Sequence, residues 1–208
     1  RYGNDKWRSS FNISLSIGQG EMGITPLQMA NIMAIVANRG FYYRPHLIKG
    51  IGDKKILKEE FTEKISAGVD AKYYQMVIEG LSQAVNSPGG TAYSNRINGI
   101  EMCGKTGTAQ NPHGENHAVF FAFAPRENPK IAIAVFVENA GYGGVWAGPI
   151  ASMMVEKYVK DTITMPKYIQ DRIYNASFMP KKEIPKPKKE DVKKDSTKTK
   201  AKTVQQTA

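Results

Sequence analysis

The chain has 208 residues, with 29 basic against 19 acidic side chains, a formal charge of +10 at pH 7 and a sequence pI near 9.5. The excess is uneven: residues 165–208 hold eleven lysines and one arginine against five acids, which is +7 of the +10 and leaves +3 for residues 1–164. A lone cysteine, Cys103, excludes an intrachain disulfide, and the apolar runs at 118–124 and 131–137 are too short to cross a bilayer.

Residues 1–24 read as strand or loop ending in the glycine-rich SIGQGEMGIT. Thr25 followed by Pro26 is an N-cap and a favoured first helical residue, predicting a helix of about three turns that stops near Arg39 and Gly40. Its expected buried face is Met29, Ile32, Met33 and Val36. Residues 41–68 are mixed, with FYYRPHLIKGI and KKILKEEF expected as short surface strands. A second helix is predicted over 71–86, burying Tyr73, Met76, Val77, Leu81, Ala84 and Val85, with SPGG at 87–90 to end it.

Three strands are expected next. The first, within 99–110, contains KTGT; AVFFAFA and IAIAVFV follow, joined by the turn-rich PRENPK as an antiparallel hairpin. Both hairpin strands are apolar at alternate and intervening positions alike, which predicts burial on both faces and helices on each side of the sheet. Pro149 opens a last helix with Ile150, Met153, Met154 and Tyr158 as its stripe. The fold class is therefore α+β, an antiparallel sheet sandwiched by helices.

The division expected is a globular part over 1–164 and a basic, Pro/Lys-rich tail over 165–208, too poor in apolar residues to offset its ordering entropy. No aromatic residue interleaves the late lysines and the body carries no common reading motif, so nucleic acid is not expected as a partner despite the charge. The first residue is arginine and no signal peptide is visible, so a piece of a longer chain is expected, with any targeting or anchoring segment outside it.

The sharpest chemical signal is KTGT, Lys105 to Thr108: a cation, two hydroxyls and a glycine within four residues of a strand. Alternation lets Thr106 and Thr108 point together, while Lys105 must reach a cleft from a bend or edge. Hydroxyls beside a cation suit a carboxylate, and Gly107 allows close approach of the backbone to a bound acyl group.

The order of segments resembles the transpeptidase domain of class B penicillin-binding proteins, above all the penicillin-binding protein 2 branch that builds the lateral wall during elongation. The segments that carry the resemblance are GQGEMGITPLQMANIMAIVANRG at 18–40, NSPGGTA at 86–92, GKTGTAQ at 104–110, HAVFFAFAP at 117–125 and NPKIAIAVFVEN at 128–139. The resemblance implies the fold shared with serine β-lactamases, and a peptidoglycan D,D-transpeptidase that cross-links stem peptides through an acyl-serine. Lys105 would give the cleft positive potential and grip the substrate carboxylate. Thr106 and Thr108 would donate hydroxyl hydrogen bonds to it, Gly107 would line the site, and the Thr108 N–H would be one of two oxyanion donors. It further implies stem peptides, β-lactams and other wall-elongation proteins as partners, no cofactor, and a place at the outer face of the cell membrane through an anchor that is not in this chain.

One departure from the family pattern is serious. No Ser-x-x-Lys occurs in the 208 residues; Thr164 to Lys167, Thr197 to Lys200 and Thr199 to Lys202 share the spacing but make poor nucleophiles. Ser10-Phe11-Asn12 matches the family's Ser-x-Asn by letters only, too close to GQG. The chain alone is therefore expected not to acylate. Alternatives on the same fold are a D,D-carboxypeptidase or β-lactamase, and a non-catalytic β-lactam-sensing or scaffold module.

Weaker candidates complete the list. His113 and His117 have helical spacing for a metal pair, but Pro112 and Gly114 point to a loop and no third ligand is evident, so no metal is expected. His117 lines the substrate site or is an exposed loop residue. Cys103 is a small buried packer, and Tyr142 and Trp146 in AGYGGVW either flank the site or turn a strand into a helix.

Overall fold

In the computed structural model the described residues are 7–20, 22–50, 52–53 and 58–179. The chain opens with helix α1 (Ser9–Ser16), where strand or loop was expected. Local contacts support it: the Trp7 indole N–H, just before the helix, donates to Asn12 Oδ1 at 3.0 Å, the Trp7 and Phe11 rings four positions apart have centroids 5.4 Å apart, and Ser16 Oγ donates to Ile13 O.

Helix α2 (Pro26–Ala37) starts as predicted with a full capping box, in which Thr25 Oγ1 accepts from the Gln28 N–H and Gln28 Oε1 accepts from the Thr25 N–H. It stops where Arg39 (φ 58°) and Gly40 (φ 117°) turn left-handed. Met33 and Ala37 are its buried residues, whereas Ile32, expected inward, is exposed. Strands β1 (Phe41–Tyr42) and β2 (Ile65–Ser66) form a two-residue antiparallel pair. The strand expected to run on from Phe41 ends there, two residues before Arg44 and Pro45, and Pro45 has no N–H to offer a ladder. The second expected strand is a 3-10 turn at Glu59–Phe61, with residues 54–57 outside the described residues.

Helix α3 (Ala71–Asn86) has the predicted ends, Asp70 Oδ1 capping the Lys72 N–H. Its buried face is rotated from the expected one: Tyr74, Ile78, Ser82 and Val85 face inward, while Tyr73, Met76 and Val77 are exposed. Ser82 can sit in the stripe because its hydroxyl donates to Glu101 Oε1 at 2.6 Å.

Strands β3 (Cys103–Ala109), β4 (His117–Ala124) and β5 (Ile131–Val137) make an antiparallel sheet in the order β3-β4-β5, with Lys105 opposite Phe121 and Gly107 opposite Val119. The central β4 is buried on both faces, as predicted; β5, at an edge, is only partly covered. Phe123 and Cys103 meet Met33 of α2 and Tyr74 and Ile78 of α3 on one face. Ala118, Phe120, Ala122 and Ala124 face the other, under helix α4 (Ala147–Lys160). The α+β sandwich therefore stands.

Helix α4 also presents a different stripe from the one expected: Ala151, Ser152, Val155 and Glu156 are buried, and Met154 and Tyr158 are exposed. Glu156 is buried without a cation because its two oxygens accept from the Thr164 N–H and hydroxyl, both at 2.8 Å. A correction concerns the tail, whose expected start at Met165 is followed by helix α5 (Lys167–Tyr174). Arg172 donates to Val145 O and Phe178 packs on Trp146 with centroids 4.7 Å apart, so an aromatic contact ties this stretch to the body. The lysine-rich remainder after Met179 lies outside the described residues.

Candidate active site

The long edge of β3 that does not pair with β4 is where the KTGT side chains gather. Residues opposite one another across an antiparallel ladder share a face. Lys105 therefore leaves the sheet on the side of Phe121, toward α2, and Thr106 and Thr108 leave on the side of Phe120 and Ala118, toward α4. Lys105 nonetheless reaches the edge from its own face: its Nζ donates to Thr106 O at 2.9 Å and approaches Thr106 Oγ1 at 3.3 Å. The cation and the Thr106 hydroxyl thus meet at one edge from opposite faces, and Thr108 lines the groove beside that edge.

In an antiparallel ladder the N–H and C=O of one residue point to the same side. The Thr108 carbonyl faces the open edge, where it accepts from Gln19 Nε2 at 2.7 Å. The Thr108 N–H must then face that edge too, as an oxyanion donor requires.

Two groups in the site were not singled out from the sequence. Gln19 is one. Thr91, from the NSPGGTA segment, is the other, with its hydroxyl 3.3 Å from Thr106 Oγ1. Beside the edge lies a groove of about 580 Å³ between the 17–24 segment and β3, lined among others by Met22, Met29, Lys105, Gly107, Val119 and Phe121. It is mostly apolar, apart from the strand edge that borders it.

The α4 side of the strand is closed by the 140–146 loop. Its glycines make the contact: Gly143 lies against the backbone of Gly107 and Val119, leaving no room for a Cβ, and Gly144 lies between Thr91 and Thr106. The aromatic residues of that loop do not border the groove, since Trp146 packs on Phe178 and Arg172 and Tyr142 is 72% exposed. Gly107 itself faces Val119, whose Cβ would be 3.2 Å from an added Cβ.

His117 is outside the groove lining. Its Nδ1 accepts the Asn139 backbone N–H at 3.0 Å, which leaves the proton on Nε2, and its ring lies 5.3 Å from Phe136. His113 lies on the loop held by Asn111, and among the described residues no group of three His, Cys, Asp or Glu side chains could hold a metal ion. Ser10 and Asn12 sit on α1, with Asn12 engaged by Trp7.

The base of β3 is pinned by Arg126, which bridges Glu79 Oε2 at 2.7 Å and Glu101 Oε1 at 2.9 Å. The Ser82 hydroxyl, then Arg126, holds the Glu101 carboxyl below its usual range; Gln83, then Arg126, does the same for Glu79. Cys103, fully buried on the same strand, has its thiol pushed up to about 12, chiefly by burial, which makes it the inert packer expected.

The sheet carries helices on both faces and leaves one edge open, where a cation and a hydroxyl meet. The family model for the penicillin binding protein transpeptidase domain matches residues 2–156, and the chain belongs to that family. It is 31% identical over 202 residues to the peptidoglycan D,D-transpeptidase MrdA of Haemophilus influenzae, covering 86% of this chain and 29% of that protein. Among solved structures, PBP2 of Pseudomonas aeruginosa in complex with WCK 5153 is 34% identical with a TM-score of 0.66, over 76% of this chain and 34% of that one. Penicillin-binding protein A of Mycobacterium tuberculosis, as an imipenem acyl-enzyme complex, is 31% identical with a TM-score of 0.59, over 71% and 33%. The chain spans about a third of the length of each of these relatives.

Proposed function

We propose that this chain is the KTGT-bearing part of a penicillin-binding protein 2 type D,D-transpeptidase, which cross-links peptidoglycan stem peptides during wall elongation. The observation that carries this is the meeting of Lys105 Nζ and the Thr106 hydroxyl at the open strand edge along which the Thr108 backbone faces outward, with Thr108 lining the same groove. A substrate ending in a carboxylate finds a cation and hydroxyls there, and the carbonyl under attack finds an N–H donor. The attacking serine is supplied by sequence outside these 208 residues. Its oxygen bonds to the carbonyl carbon of the penultimate D-alanine, the terminal D-alanine leaves with a proton on its amine, and a neighbouring stem's amine then takes the acyl group and frees the serine. β-Lactams acylate the same serine. The site lies at the outer face of the cell membrane, with an anchor elsewhere in the longer protein; among the described residues no helix is long and apolar enough to cross a membrane.

The test is labelling of the longer protein with a fluorescent penicillin. Lys105→Ala should nearly abolish labelling while leaving the thermal midpoint within a few degrees of wild type, because the Lys105 side chain is exposed and bonds only to the neighbouring Thr106. Undiminished labelling would remove Lys105 from the site. Product analysis with a stem-peptide dimer assay separates transfer to an amine from the transfer to water of a carboxypeptidase or β-lactamase, and no adduct at all would favour a sensor or scaffold.

A further inference from the structure

The GQG segment at residues 18–20 has no role in the chemistry above, yet it makes the longest-range side-chain contact with the KTGT strand. Gln19 Nε2 donates to Thr108 O at 2.7 Å, and Gln19 Oε1 accepts from the Gln110 N–H at 3.2 Å. Only one orientation of the amide satisfies both, since a carbonyl cannot donate and a backbone N–H cannot accept. The pair of bonds is what a neighbouring strand would offer, so one side chain stands in for a strand at the edge of β3. The flanking glycines make this possible: Gly18 and Gly20 have φ of 74° and 73°, the left-handed region that other residues enter at a cost, and an added Cβ on Gly20 would lie 3.0 Å from that of Ser14. The chain therefore turns sharply on both sides of Gln19 and delivers its amide to the edge.

We propose that Gln19 is a positioning residue for acylation, fixing the Thr108–Gln110 edge so that the Thr108 N–H is held aimed at the reacting carbonyl. This rests on the transpeptidase reading. Thr106 O is held by Lys105 and Thr108 O by Gln19, so the outward carbonyls on both sides of the Gly107–Thr108 peptide are anchored and that peptide is kept from rocking. An oxyanion donor acts through preorganisation, and a small displacement is costly.

The experiment is the time course of fluorescent-penicillin acylation in the longer protein, for wild type, Gln19→Ala and Gln19→Glu. Gln19→Ala should acylate about tenfold more slowly, short of the hundredfold or more expected for outright loss of an oxyanion donor, with the thermal midpoint lowered by a few degrees at most, since the half-buried Gln19 gives up two hydrogen bonds but is no part of the core. Gln19→Glu keeps the acceptor for Gln110 but sets a carboxylate against the Thr108 carbonyl. Its rate relative to wild type should be low at pH 7.5 and recover as the pH falls through about 4.3, the ordinary glutamate value, below which a protonated carboxyl can donate. Gln19→Ala acylating at the wild-type rate, or a Gln19→Glu deficit that is the same at every pH, would overturn the proposal. A wild-type protein that takes no label would instead sink the transpeptidase reading, and this inference with it.

Discussion

Replacing Gly143 with alanine isolates the steric fit between the 140–146 loop and the KTGT strand. Gly143 has no positive φ, so alanine meets no intrinsic backbone penalty there, and any loss reports the contact. The added Cβ would fall within contact of the Val119 and Gly107 carbonyl oxygens, and these are backbone atoms in a paired ladder that cannot swing aside as a side chain would. The loop must lift instead. Overpacking of this kind costs about 1–3 kcal/mol, and lifting stretches the 3.0 Å bond from Asn95 Nδ2 to Gly144 O, worth about 1 kcal/mol more. A total of about 2–4 kcal/mol lowers the thermal midpoint by roughly 4–16 °C for a chain of this size. The control is Gly144→Ala, whose Cβ would meet the Thr91 backbone oxygen at 3.3 Å and Thr106 Cγ2 at 3.4 Å, contacts that ask for a shift of only a few tenths of an ångström in place of an outright overlap. It should cost under about 1 kcal/mol. Urea denaturation and thermal melting of both variants give the comparison; equal losses in the two would refute the reasoning.

The remaining expectations concern groups that titrate. The Cys103 thiol, raised to about 12 in the folded chain, should resist a disulfide reagent at pH 8 until denaturant is added, and modification of the native protein at the rate of a free thiol would contradict its burial. Because its folded value lies above the unfolded one, its stabilising share is complete below the unfolded value and is lost as pH rises from about 9 toward 12, at roughly 1.4 kcal/mol per pH unit. Cys103→Ala should be flatter with pH over that range. The Glu101 and Glu79 carboxyls run the other way: lowered in the folded chain from 4.5, they stabilise it above that value and lose the effect as pH falls from there through their lower folded values. The difference in thermal midpoint between wild type and Arg126→Met should therefore be largest near pH 7 and shrink toward pH 3; a gap independent of pH would show that the ion pairs contribute nothing.

What could be foreseen from the sequence divides along physical lines. The Thr25 N-cap followed by Pro26, the doubly apolar β4 and the KTGT strand are all local signals, and each is found where expected. Which side of a helix turns inward is decided by distant partners. On α3 the apolar Tyr73, Met76 and Val77 lost to a face containing Ser82, because only that face meets Glu101 and the sheet. Helix α1 was missed because its apolar spacing is weak and its turns are closed by Trp7 and Asn12. Within the site, Lys105, Thr106 and Thr108 announce themselves by chemistry. Gln19 and Thr91 are ordinary polar residues 89 and 15 positions from their partners, and only the fold brings them to the strand.

That separation of 89 residues also bears on how the site is assembled. The β4–β5 hairpin closes over residues 125–130, and β3 joins β4 across a loop of comparable size, so the sheet can form from neighbouring pieces of chain. The edge beside Thr108 waits for a segment that arrives from the far end of the sequence, and contacts of high sequence separation form slowly. In a refolding experiment with pulsed hydrogen exchange, amides of β4 should gain protection before the Gln110 amide does. The strand would exist before its outer edge is fastened, and a partly folded chain would hold the KTGT residues in register with β4 while the Thr108–Gln110 edge was still free.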